Sequence, residues 1–140
     1  MKGSKDRWFW FSLSLYFLLY MLGCWNIFGL NGMQKHKGVN DLINKYKLNI
    51  MDLLKTKITS SKIKRVETTI NPSLWQFLFN VSDIINWCIL IGWDTMVYNV
   101  SLMHFSLQLI TRKVFNLVEG CFFVVTFVYG LNTSTGRQTL

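Results

Sequence analysis

The side chains able to do chemistry are few and scattered. The chain holds two histidines, His36 and His104, and three cysteines, Cys24, Cys88 and Cys121. A catalytic histidine must reach the proton it moves, and a carboxylate commonly orients it. The two histidines lie in different segments, and neither has a paired carboxylate in sequence reach. Each reads as a surface or core histidine. The cysteines are odd in number and far apart, without a CxxC, so neither a zinc site nor a disulfide framework is expected. They read as small buried hydrophobes. There is no glycine-rich phosphate loop and no HExxH. What remains is a pair of asparagines, Asn26 and Asn132, that interrupt or end apolar runs. Ends of strands are where layered sheets commonly carry their sites. N-x-S sequons at Asn80, Asn99 and Asn132 matter only in a secreted chain.

These residues sit in a chain of 140 residues, enough for one modest domain. With 51% hydrophobic and 16% aromatic residues it is too apolar to be disordered. Its formal net charge of +8 favours anionic partners, nucleic acid or an acidic membrane face. The charge is unevenly placed. No residue from Trp8 to Gln34 is charged, whereas Lys35 to Arg65 holds nine of the 15 basic residues.

The uncharged run follows a basic leader, Met1 to Arg7, and resembles the start of a signal peptide or signal anchor. A spanning helix needs about 20 predominantly apolar residues, which Trp8 to Leu30 supplies if Asn26 is tolerated near one end. The competing reading is a buried strand. Both flanks are basic, so charge does not orient a span.

The elements that must position the asparagines follow. Met21 to Leu30 suits a buried strand, punctuated by Gly29 and Gly32. Val39, Leu42, Ile43 and Tyr46 fall at i, i+3, i+4 and i+7, the stripe of an amphipathic helix. Leu48 to Leu54 reads as a strand covered on both faces. Thr56 to Asn71 reads as a solvated basic loop or edge. Trp75–Val81, Trp87–Trp93 and Met96–Ile110 read as strands, with Gly92 and Asp94 marking a turn. The apolar phase slips at Ser101 and Leu102, which means a bulge in one strand or a break between two. Cys121 to Asn132 reads as a last strand ending at Gly130. Strands with one early helix predict an α+β fold.

The segments also stand in a familiar order: CWNIFGLN (Cys24–Asn31), a basic amphipathic helix, LLKTKI (Leu53–Ile58), ILIGWD (Ile89–Asp94) and TFVYGLN (Thr126–Asn132). This order resembles the N-terminal part of the endonuclease/exonuclease/phosphatase (DNase I-like) family. It is most similar to the endonuclease domain of plant LINE-type (non-LTR) retrotransposons. There the motifs commonly read C/S-W-N-x-x-G-L, L-x-E-T-K and x-x-V-Y-x-x-N. The resemblance covers residues 21–140 and leaves residues 1–20 as a hydrophobic extension.

The resemblance implies part of a four-layer α/β sandwich and a Mg²⁺-dependent phosphodiesterase ancestry. It matches Asn26 to an asparagine that positions metal and phosphate, Tyr129 to a tyrosine near the scissile phosphate, and Asn132 to another polar residue of that loop. The metal-binding Glu of L-x-E-T-K falls on Lys55, whose ammonium has no lone pair to offer and repels a cation. The later catalytic Asp, Asn and Asp–His pair are expected beyond residue 140. The expectation is therefore an inactive remnant that binds no metal. Its block from Lys35 to Arg65 would contact nucleic acid nonspecifically. The alternative is a small protein anchored in a membrane through Trp8 to Leu30, without catalysis.

Overall fold

The computed structural model describes residues 7–15, 18–70, 74–80, 89–106 and 109–128. These form two compact units, residues 1–95 and 96–140. The chain is mixed α+β and strand-dominated, as the sequence pattern predicts.

In the first unit the uncharged N-terminal run is not one helix. Strand β1 (Arg7–Leu15) pairs antiparallel with β2 (Leu18–Asn26), from Arg7 opposite Asn26 to Leu15 opposite Leu18. The spanning helix expected over Trp8 to Leu30 is therefore corrected. The hairpin pairs the backbone groups that a helix would otherwise bond along its own axis. Among the described residues no helix is long and apolar enough to cross a membrane.

Helix α1 (Met33–Tyr46) follows and returns the chain to β3 (Ile50–Leu54), which pairs parallel with β2. A parallel pair needs such a crossover. The predicted stripe is the face that packs: Val39 and Ile43 are buried, Leu42 and Tyr46 half-buried. The helix stops at Lys47, left-handed at φ 50°, whose N–H reaches the Asn44 and Ile43 carbonyls. Strands β4 (Trp75–Asn80) and β5 (Ile89–Asp94) complete a sheet of order β1-β2-β3-β5-β4. Trp25, Met51, Leu53 and Leu90 lie in the core with Val39 and Ile43 of α1. Ile50, Asp52, Ile89 and Ile91 of the alternate pleat phase are buried too, so β3 and β5 are covered on both faces.

Two expectations fail here for clear reasons. The basic loop from Thr56 contains a second helix, α2 (Ile63–Thr69), after a short 3-10 turn at Ser60–Lys62. Ile63, Val66 and Ile70 join the core, and Lys64 and Arg65 between them are exposed. Gly92 is not at a turn. It sits inside β5 opposite Phe77 of β4, whose ring carbon Cε1 lies 2.7 Å from where a Cβ would be. The turn comes later, at Thr95–Val97.

The second unit is an antiparallel meander of β6 (Tyr98–Phe105), β7 (Leu109–Asn116) and β8 (Cys121–Val128). The phase slip is a bulge within one strand, and the run expected as Met96–Ile110 is divided further on. The register shifts between Leu102 and His104, and the strand ends at Phe105 before β7 begins. Strand β7 buries Ile110, Arg112, Val114 and Asn116 on one side, with the Arg112 guanidinium 5.1 Å from the Phe127 ring. Cys24 is buried as expected, but Cys121 is exposed.

Candidate functional site

Asn26 and Lys55 come together because β2 and β3 are parallel and end in step. Asn26, the last residue of β2, stands opposite Leu54, the last of β3, so Lys55 is the next residue out. The carboxyl ends of parallel strands are where open sheets bind ligands. The Asn26 Oδ1 is buried and has no hydrogen-bond partner among the described residues.

Beyond the strand ends the two segments stay zipped. The Ile27 N–H donates to the Leu54 carbonyl (3.1 Å), Gly29 to Lys55 (2.8 Å) and Leu30 to Thr56 (2.7 Å). Ile27, Leu30, Thr56 and Ile58 are almost fully buried and fix the alternation, so Lys55 and Lys57 emerge between them. This geometry is bought with strain. Phe28 (φ 48°), Lys55 (φ 56°) and Lys57 (φ 51°) are all left-handed without being glycine. Each costs on the order of 1–3 kcal/mol and persists only where its surroundings over-determine it.

The result is one aromatic ring with two cations on it. The Lys57 Nζ lies 4.5 Å and the Lys55 Nζ 5.5 Å from the Phe28 centroid. The ring is 41% exposed. Asn31 frames the cluster: its Nδ2 donates to the Lys57 carbonyl (3.2 Å), and the Lys62 Nζ donates to its Oδ1 (3.4 Å). On the inner side the Lys35 Nζ donates to the Ile27 carbonyl (3.1 Å) and lies 5.5 Å from the Trp25 ring.

The loop is tied to both helices through His36. Its Nε2 donates to the Leu30 carbonyl (2.6 Å), and its Nδ1 faces the Thr69 hydroxyl (2.5 Å). Asn40 of α1 donates to the Thr69 carbonyl (2.9 Å). His36 is thus a buried structural histidine, and His104 is exposed on β6.

Other residues do not converge here. Asp94 lies at the far end of β3, where its N–H donates to the Asn49 carbonyl (2.8 Å). By strand rise that is about 20 Å from Lys55. Asp52 is buried within β3, in the opposite pleat phase from Lys55. Among the described residues no three His, Cys, Asp or Glu side chains are grouped to hold a metal. Tyr129 and Asn132 lie outside the described residues, as does Cys88. Sequence reasoning placed Lys57 in the solvated basic loop or edge from Thr56 and passed over Phe28. The alternation K-T-K beside F-G was the available signal.

No protein-family model matches the chain. No curated protein matches it. Among solved structures it is similar to the AP endonuclease LMAP from Leishmania major, with a TM-score of 0.63 and 12% identity. The alignment covers 84% of this chain and 42% of that one. At this identity the likeness is one of fold: the chain shares its α+β arrangement with that structure and spans 42% of the length of that solved chain.

Proposed function

We propose that this chain is a non-cleaving derivative of a metal-dependent phosphodiesterase, retaining nonspecific contact with nucleic acid. The observation that carries the proposal is Lys55. A cation, its Nζ 5.5 Å from the centre of the Phe28 ring, occupies the strand end where the L-x-E-T-K motif keeps its Glu. Mg²⁺ requires several hard oxygen ligands in near-octahedral array. The side chains of the cluster offer only neutral amide oxygens, Asn26 Oδ1 and the Asn31 Oδ1 that accepts from Lys62, together with ammonium groups that repel a cation. These residues do not fit Mg²⁺, and no hydrolytic step is assigned to them.

The order of motifs supports descent from the endonuclease of a plant LINE-type retrotransposon. The likeness to the AP endonuclease supports the same reading at the level of fold. The four-layer sandwich and the roles of Tyr129 and Asn132 belong to this proposal as well. Binding to nucleic acid is assigned to the basic block. Lys37, Lys45, Lys47, Lys57, Lys62, Lys64 and Arg65 are all exposed in it. Phosphate neutralisation by such groups is salt-dependent and indifferent to sequence.

The experiment is incubation of purified protein with supercoiled plasmid in the presence of Mg²⁺. A retarded but still supercoiled band is expected. Conversion to nicked circles that is lost in Asn26→Ala would overturn the proposal.

A further inference from the structure

We propose that Phe28, Lys55 and Lys57 form a built phosphodiester site that grips the backbone of a nucleic acid, with Lys62 at its rim. The inference rests on the nucleic-acid reading above and deepens it by assigning the contact to one place.

Three observations converge. First, the left-handed backbone at Phe28, Lys55 and Lys57 is held by hydrogen bonds that continue past the ends of β2 and β3. Strained non-glycine residues cluster at functional sites, and here three of them meet on one ring. Secondly, the two ammonium groups are held close together. At 5.5 and 4.5 Å from the same centroid they are no more than 10 Å apart. A polyanionic backbone, with a charge on every phosphate, can reach both from one side of the loop. Thirdly, both ammonium groups sit over one aromatic ring instead of sampling open solvent. That reduces the side-chain freedom lost on binding, which is the cost that weakens most lysine–phosphate contacts. Among the described residues Lys57 has no carboxylate partner, and Lys62 bonds only the Asn31 amide.

The surroundings select a polyanion over a single phosphate. Exposed cations continue from the cluster through Lys62, Lys64 and Arg65 into α2, and Lys37, Lys45 and Lys47 lie in or just after α1. A chain of phosphates can engage several of these at once, and each contact releases counterions.

The test uses the full chain and a fluorescein-labelled oligothymidine, followed by fluorescence anisotropy over a range of salt concentrations. The variant is Lys55→Asn with Lys57→Asn. Asparagine is among the residues best tolerated at positive φ, so the backbone is retained, which circular dichroism checks. The comparison makes the same charge change within the basic block but outside the cluster, Lys45→Asn with Lys47→Asn, where Lys47 is also left-handed at φ 50°, and so reads the loss of nonspecific contact alone. Two lost phosphate contacts should make the slope of log affinity against log salt shallower by about 1.4, at about 0.7 per contact on a single strand. Affinity at low salt should fall about tenfold or more in the site variant and less than about threefold in the comparison variant. Phe28→Asn, which leaves every cation in place, should weaken binding by several-fold. Lys57→Asn alone carries the same test, with half the slope change, if the double variant loses its dichroism signature.

Equal losses in the two double variants would overturn the site while leaving nonspecific binding intact. No binding by the unaltered chain would overturn both. Flotation with phosphatidylserine vesicles that depends on Lys55 and Lys57, without oligothymidine binding, would assign the cluster to a lipid headgroup and overturn the nucleic-acid site.

Discussion

Replacing His36 by alanine should cut the link between the Phe28 loop and both helices. His36 is 2% exposed, and its Nε2 faces the Leu30 carbonyl at 2.6 Å. A carbonyl only accepts, so Nε2 carries the hydrogen. In the neutral ring Nδ1 then accepts from the Thr69 hydroxyl. The hydroxyl has a second acceptor in the Arg65 carbonyl at 2.8 Å, so it can turn there when the ring is gone. The Leu30 carbonyl loses its donor inside a residue that is 0% exposed. That orphaned acceptor costs about 1–3 kcal/mol. The partly collapsed space left by the imidazole adds about 1 kcal/mol. The expected loss is about 2–4 kcal/mol, read from urea unfolding followed by tryptophan fluorescence. Thr69→Val, which removes only the donor to Nδ1, should cost about 1 kcal/mol. A His36→Ala loss below about 0.5 kcal/mol would refute the idea that this ring anchors the loop, because burial and two hydrogen bonds could then not both be real.

Three more outcomes are expected. Gly92→Ala would place a Cβ 2.7 Å and 2.9 Å from two Phe77 ring carbons and 3.1 Å from Trp75 Cε3. Overpacking of that kind costs about 1–3 kcal/mol, and the same urea measurement should recover part of it when Phe77→Leu is added. Burial, with a smaller contribution from the Cys121 thiolate, pushes the Tyr98 phenol from 10.0 up to about 12. The unfolded chain releases this proton first, so stability should fall as pH rises from 10 towards 12, and Tyr98→Phe should remove that part of the decline. Lys55→Glu should not produce Mg²⁺-dependent plasmid nicking. Among the described residues no three His, Cys, Asp or Glu side chains are grouped to hold a metal, and nicking by the single variant would show that a carboxylate at this one position suffices.

Much of the first unit was legible because its packing is periodic. The α1 stripe of Val39, Leu42, Ile43 and Tyr46 reads directly, and so do the apolar runs of β3 and β5. The N-terminal run did not read, because an uncharged stretch without a period suits a strand or a span equally. The pairing of Arg7–Leu15 with Leu18–Asn26 decides it, and pairing is not written in either strand alone. Helix α2 was hidden by its exposed Lys64, Arg65 and Thr68, with only Ile63, Val66 and Ile70 marking the buried side. Strand β7 was hidden because Arg112 stands in the buried phase of its alternation. At the candidate site, Asn26 and Lys55 were singled out through the order of motifs, and the parallel pairing of β2 with β3 sets them at neighbouring strand ends. Phe28 and Lys57 were not singled out, because their positive φ values go with cross-loop hydrogen bonds rather than with any local preference of those residues.

The most direct test of an ammonium cluster standing where a metal site is expected is a Mg²⁺ titration. Magnesium is added to the complex of the protein with labelled oligothymidine, and anisotropy is followed. If the contact runs through Lys55 and Lys57, Mg²⁺ acts only as a competing counterion and releases the oligonucleotide. Binding that tightens with Mg²⁺, and loses that gain in Asn26→Ala, would contradict the account.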